Sequence, residues 1–369
     1  MRDMSDAARF PWSPPRLDAD ALARARARQA GLTRPPGSLG ALEPIALQLA
    51  ALQGQALPVA RPAAALLFAA DHPVTRHRVS AYPAGVTAAM LANFAAGGAA
   101  ASVLARLHRI PLRVIDVGVA RAAGGVPSGP RGGAEVVRRP VADSEAGDLL
   151  HTDAMTPEVY AEALRTGADE SAALGPGLRV LLLGEMGIGN STAAAAVYAA
   201  LLGGDPGEYA GPGTGVHGVA LAHKREVLRG AVERVRRAHP DLQEDPHRAL
   251  QTLGGREIAA IAGAMAEAIA RGVAVLVDGF IVGAAALALV RLAPAWRAGM
   301  IFAHRSAEPA HARMLAAIGA VPLLDLGMCL GETSGALAAF PLVEAACALH
   351  SEMATFAGAG VPDREDADV

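Results

Sequence analysis

The sequence predicts an α/β protein with a mostly parallel, open sheet carrying helices on both faces, together with a small helical subdomain drawn from both chain ends. Three observations predict this. Short runs rich in branched aliphatics alternate with longer alanine-rich stretches of helical length, as in βαβ units. Hydrophobic residues make up 52% of the 369 positions but aromatics only 4%, which favours tight packing of small helices on a sheet. Nearly every unusual polar cluster directly follows one of the apolar runs, where ligands of such sheets bind. The expected arrangement is Rossmann-like.

The predicted strands are 64–70, 111–117, 179–183, 274–277, 300–303 and 322–326. Between them, 86–108, 157–174, 191–202, 218–239, 256–271, 280–292 and 307–318 have helical length and composition. The helix at Pro157 starts with Thr156 as N-cap and a proline at the first helical position. Residues 16–57 read as helices with a break at Arg34-Pro35-Pro36-Gly37, and 334–357 read as a further helix before an acidic tail. The expected organisation is a helical subdomain from 1–60 and 337–369 and an α/β catalytic domain over 61–336. No internal repeat is found, and glycine-rich 122–133 reads as a flexible loop.

Composition excludes several function classes. A formal charge of −3 gives no electrostatic footprint for DNA or RNA. Arg24, Arg26 and Arg28 alternate with alanine and read as a solvated helix face. Cys329 and Cys347 have neither CxxC spacing nor a histidine pattern, so no disulfide framework or zinc site is indicated and a reducing compartment fits. The N-terminus carries acids and prolines where a signal peptide needs an apolar stretch. The apolar region 258–290 is interrupted by Glu267, Arg271 and Asp278, so the expectation is a cytoplasmic protein without a membrane span.

The polar clusters at strand ends are Asp71-His72, Asp116 with Gly118, Gly184-Glu185, Asp278-Gly279, His304-Arg305-Ser306 and Asp325 through Glu332. The sharpest motif is LLLGEMGIGNST, residues 181–192, a strand entering a glycine turn and then a helix. Gly187 and Gly189 let backbone N–H groups approach an anion, and Asn190, Ser191 and Thr192 can cap a helix whose dipole favours phosphate. It is neither a Walker A loop nor a GxGxxG fingerprint, which disfavours a nicotinamide-dependent enzyme. A second turn, Gly211 through Gly215, is followed by Lys224 and reads as another phosphate-binding piece, with backbone donors and the Thr214 hydroxyl backed by one cation. Glu332 lies among Leu, Met and Cys, a setting that can raise a carboxylate toward general-base duty. The spacing of His304 and His311 puts them on different helix faces, so they read as hydrogen-bonding support, not as metal ligands.

These motifs jointly resemble a known family. Leu32 through Gly40, Ala70-Asp71-His72, Val79 through Pro83, Gly184 through Thr192, Gly213-Thr214-Gly215, Asp278 through Ile281, His304 through Pro309 and Leu324 through Glu332 are similar, in order, to signatures of the nicotinate-nucleotide:dimethylbenzimidazole phosphoribosyltransferases. The resemblance implies transfer of phosphoribose from β-nicotinate mononucleotide to 5,6-dimethylbenzimidazole, giving α-ribazole 5′-phosphate and nicotinate. It implies Glu332 as general base, Glu185 and Lys224 handling ribose and phosphate, and an apolar pocket for the base to which Ser80, Tyr82, Met90 and Leu330 contribute. Asp71, His72, Asp278, His304, Arg305 and Ser306 are expected to support the site. A homodimer is implied, and no metal or redox cofactor.

Some positions depart from the family pattern. Pro73 follows His72, Val216-His217-Gly218 replaces an acidic stretch, Ala89 stands where glutamine is frequent, and Glu332-Thr333-Ser334-Gly335 replaces the usual Glu-Gly-Thr-Gly. The Ala89 change removes a polar contact beside the aromatic acceptor. Two other functions remain open at this level. An N-glycosidic nucleotide hydrolase would use Glu332 to activate water, and a non-catalytic nucleotide-binding paralogue would have no use for an apolar general base.

Overall fold

The computed structural model describes residues 10–120, 133–142 and 144–362. Six parallel strands form one sheet: β1 (Ala63–Ala70), β2 (Leu112–Gly118), β3 (Glu135–Arg138), β4 (Val180–Met186), β5 (Ala274–Val277) and β6 (Met300–Phe302), in the order β3-β2-β1-β4-β5-β6. The strand order reverses between β1 and β4, so the crevice outside their carboxyl ends is where such a sheet binds ligands. Alternation along β1 explains its unbroken apolar run. Ala64, Leu66, Phe68 and Ala70 enter one core, while Ala63, Ala65, Leu67 and Ala69 enter the other.

Helices Pro157–Ala172, Asn190–Leu202, Arg256–Ala270 and Phe280–Leu292 bury their apolar sides on the first face. Pro157–Ala172 and Arg256–Ala270 pack at backbone contact. A Cβ on Gly167 would fall 1.7 Å from the Ala260 carbonyl oxygen, and one on Gly263 would fall 1.9 Å from that of Leu164. Thr156 caps the first of these helices, its hydroxyl accepting from Val159 N at 3.3 Å. The second face is covered by Leu42–Gln53, Val86–Ala96, Ala100–His108 and Ser334–Glu352, whose Leu337, Phe340 and Val343 share a core with Leu67 and Leu182. Arg28 ties the two chain ends together by donating to the carbonyls of His350, Ser351 and Met353.

Three elements differ from the sequence expectations. The region 322–326 is not a strand. Leu324 makes a single bridge to His304, Pro322 has no N–H to donate, and both Val321 and Leu326 face solvent. The sixth strand is instead Glu135–Arg138, just beyond 122–133, a stretch that apart from Gly133 lies outside the described residues. The expected helix 86–108 is two helices, broken where Gly97 adopts φ 79°. By length and composition this stretch could cross a membrane, but it is bent and 44% of its most apolar window is packed inside the protein.

Candidate active site

Four of the polar clusters meet in one cavity of about 840 Å³. Glu185 comes from the end of β4, Asp278 and Gly279 from the end of β5, His304 and Ser306 from beyond β6, and Leu330 and Glu332 from the 328–332 segment. Tyr82, Val86 and Met90, which follow β1, close the opposite wall, while Gly187, Asn190, Gly213, Thr214 and Gly215 complete one end. Among the predicted base-pocket residues, Tyr82 and Leu330 are each 55% exposed at the mouth and Met90 is half-buried. Ser80 is not on the wall. Its hydroxyl pairs with Thr214 Oγ1 at 2.8 Å and accepts from Tyr82 N at 3.1 Å, so it links the two sides of the rim.

Three buried carboxyls crowd one side of the cavity. Burial, reinforced by Asp278, pushes Glu332 up to about 7. Burial and the charge of Asp278 push Glu185 up to about 8, against the stabilising effect of Asn190, whose amide donates to it. Asp278 is also raised by burial, although neighbouring His304 and the Ala336 N–H at 2.8 Å oppose the rise. Glu332 and Thr333 occupy the left-handed region at φ 60° and 66°, uncommon for non-glycine residues and costly for a β-branched one. The position is held from below by Gly184, where a Cβ would fall 2.3 Å from Thr333 N. Gly184→Ala is therefore expected to lift the Glu332 loop, lower stability by about 1–3 kcal/mol and reduce turnover. A thermal melt beside a rate measurement checks it, and an unchanged Tm would show the contact to be slack.

The other end of the cavity is lined by glycines and hydroxyls, with one lysine behind them. Ser191 lies in the first turn of helix Asn190–Leu202, and Lys224 Nζ donates to its hydroxyl at 3.0 Å and to the Gly211 carbonyl at 3.1 Å. Lys224 sits beneath the Gly211–Gly215 turn, not on the cavity wall, and burial pulls it down to about 8 against the nearby Glu308 carboxylate. The turn keeps little free donor capacity. Gly213 N donates to Glu308 Oε1 at 2.7 Å and Gly215 N to the Pro212 carbonyl at 3.0 Å. These glycines therefore shape the turn, and the ligand-facing polar groups at this end are the side chains of Thr214 and Ser191 at the positive end of the helix dipole, whose Asn190 and Thr192 N–H groups already donate to Gly187 and Gly189.

Other predicted supporting residues lie behind the wall or away from it. His72 Nε2 meets Glu257 Oε1 at 2.7 Å, both side chains buried. Burial opposes charge on His72, but Glu257 overrides it and raises the imidazole pKa. Asp71 accepts from Ala120 N at 2.7 Å. Arg305 points to the surface, where it pairs with Asp325, so it is not part of the cavity. Glu308, inside the His304–Pro309 motif, lines the cavity with His304 and Ser306. One carboxyl escapes the sequence reading of the site. Glu257 is one of two acids, with Glu267, in an alanine- and isoleucine-rich helix, a pattern that carries no functional signal by itself.

The chain is similar to known proteins in sequence and in fold. A phosphoribosyltransferase family model matches residues 14–361. A nicotinate-nucleotide:dimethylbenzimidazole phosphoribosyltransferase of Pseudomonas putida is 48% identical over 349 residues, covering 94% of this chain and 96% of that protein. The protein of that name from Novosphingobium aromaticivorans is 46% identical, covering 95% and 94%. The crystal structure of CobT from Thermus thermophilus superposes with a TM-score of 0.85 at 41% identity, covering 93% of this chain and 99% of that one. The chain belongs to the nicotinate-nucleotide:dimethylbenzimidazole phosphoribosyltransferase family, a family of pentosyltransferases that serve cobalamin biosynthesis.

Proposed function

We propose that the chain transfers the 5-phosphoribosyl group of β-nicotinate mononucleotide to 5,6-dimethylbenzimidazole or a related aromatic base, giving α-ribazole 5′-phosphate and nicotinate. The observation that carries this reading is the placement of Glu332, a buried base at one side of a largely apolar cavity that ends in phosphate-compatible groups. The cavity size lies within the roughly 300–1,000 Å³ of small-molecule sites.

In the reaction, the bond from the anomeric carbon to the pyridine nitrogen breaks and its electron pair returns to nicotinate. The acceptor nitrogen attacks from the opposite face, which turns β into α, and Glu332 takes the proton from the acceptor's N–H. Glu185 and Asp278 face the ribose, Glu185 as a largely protonated carboxyl able to hydrogen-bond its hydroxyls. Ser191, Thr214 and the first turn of helix Asn190–Leu202 hold the 5′-phosphate, with Lys224 orienting Ser191 and supplying charge from behind. Tyr82, Met90 and Leu330 sandwich the aromatic acceptor. Positioning of the two rings on either side of the ribose supplies much of the rate.

The test is product analysis with and without acceptor. With dimethylbenzimidazole, nicotinate and α-ribazole 5′-phosphate are expected in equal amounts. Rapid acceptor-independent release of ribose 5-phosphate would make the chain a hydrolase instead. The active form in this proposal is a homodimer, supported by Val103 and Leu107, exposed one turn apart on Ala100–His108. Light scattering is expected to give twice the chain mass at assay concentration, and a fully active monomer would refute it. The free thiols of Cys329 and Cys347 fit a cytoplasmic setting. The Arg28 contacts support grouping 1–60 with 337–369 as one helical unit beside a catalytic 61–336.

A further inference from the structure

Outside the cavity, three potential ligands come together from two loops. His77 ends the short 3-10 turn Pro73–His77 after β1, and its Nε2 lies 2.7 Å from Asp148 Oδ2 across 71 positions of chain. His151 stands beside them, its ring edge-to-face with that of His77 at a centroid separation of 5.3 Å. One ligand atom from each of the three falls within 4.8 Å of the other two. We propose that His77, Asp148 and His151 bind one divalent transition-metal ion of the zinc, cobalt or nickel class.

The surroundings build this site as a platform. Asp148 makes a local turn in which its carbonyl accepts from His151 N at 2.9 Å and Thr152 N at 2.7 Å, while Oδ1 accepts from Leu150 N at 3.2 Å. One carboxylate oxygen is thereby engaged by the turn, and the other is presented with His151 toward His77. Arg234 fastens the turn from below through the carbonyls of Leu149 and Thr152 and the carboxylate of Asp153. His77 is fixed in its turn by His223, whose Nε2 meets the His77 carbonyl at 2.8 Å. Arg76, which precedes His77, is paired with Glu145.

The donor set selects the ion. Two imidazoles and one carboxylate suit zinc and its neighbours, whereas magnesium and calcium prefer oxygen ligands alone. Ligand atoms around a tetrahedral ion at about 2.0–2.2 Å stand roughly 3.3–3.6 Å apart. An ion would therefore part His77 and Asp148 slightly from their 2.7 Å contact and draw in His151, the exposed member of the three. Water completes the coordination on the open side. An ion here would tie the Pro73–His77 turn to the 148–151 turn, just ahead of Ser80 and Tyr82 on the cavity rim.

The experiment is calorimetric titration of chelator-treated full-length protein with Zn²⁺, alongside Co²⁺ followed by visible absorption. Saturable one-to-one binding is expected, with a Co²⁺ band of low-symmetry coordination that Zn²⁺ bleaches. His77→Ala and His151→Ala should each weaken binding beyond the roughly 10–100-fold seen when only a supporting contact is lost. Exposed His151 makes the second variant safe for folding, and it should keep wild-type transferase turnover. Binding that survives both substitutions, or the lack of any saturable binding to the wild type, would overturn the site and leave His77 and Asp148 as a hydrogen-bonded loop tie.

Discussion

Glu332→Gln is expected to keep the fold and nicotinate mononucleotide binding while kcat falls by about 10²–10⁴, the usual contribution of a positioned base. The substitution preserves size and removes only the ability to take a proton. Its pH dependence is equally specific. Burial and Asp278 push Glu332 up to about 7 from an ordinary 4.5, and only the deprotonated form can act as base. The kcat of the unaltered enzyme should therefore fall as pH drops through about 7, whereas an ordinary carboxylate would keep its rate until well below pH 6. The Gln variant should lose that limb altogether. Near-native turnover of the variant at neutral pH would remove Glu332 from the chemistry.

Lys224→Ala should separate nucleotide from nucleoside. The ammonium lies behind Ser191 and the Gly211 carbonyl, buried and close to the proposed phosphate end of the cavity. Its loss should weaken nicotinate mononucleotide by about 1–3 kcal/mol, the range for a hydrogen bond to a charged group. Nicotinate riboside, lacking the phosphate, should be a poor substrate and nearly indifferent to the substitution, and acceptor affinity should hardly change. Since Lys224 also braces the turn, its stability is to be measured in parallel. Equal losses for nucleotide and nucleoside in a well-folded variant would reduce Lys224 to a structural brace.

Much of the site is legible in the chain because a parallel sheet gathers its ligand-binding groups at one edge. Placing polar clusters after apolar runs is enough to bring Glu185, Asp278, His304 and Glu332 into one cavity. Depth within the site is not legible. Lys224 and Arg305 are both cations near cavity-forming loops, yet one is turned beneath a glycine turn and the other out to Asp325. Sequence spacing fixes which element carries a residue, not how the backbone rotates it. The strand Glu135–Arg138 is hidden for a related reason, since a short edge strand with charged ends buries too little to show an apolar run. The 86–108 stretch reads as one helix because alanine and leucine continue across Gly97-Gly98, and only the backbone at Gly97 breaks it. His77, Asp148 and His151 meet through tertiary structure, so local spacing carries no trace of them.

The helix Ser334–Glu352 begins two residues after the proposed base and follows every strand in chain order. Its Leu337, Phe340 and Val343 seal the second face of the sheet, and its first turn supplies the Ala336 N–H that holds Asp278. The geometry of Glu332 is thus tied to the docking of this last long helix, so a substitution that loosens Leu337 or Phe340 from the sheet should disturb the proposed base from the far side of the molecule.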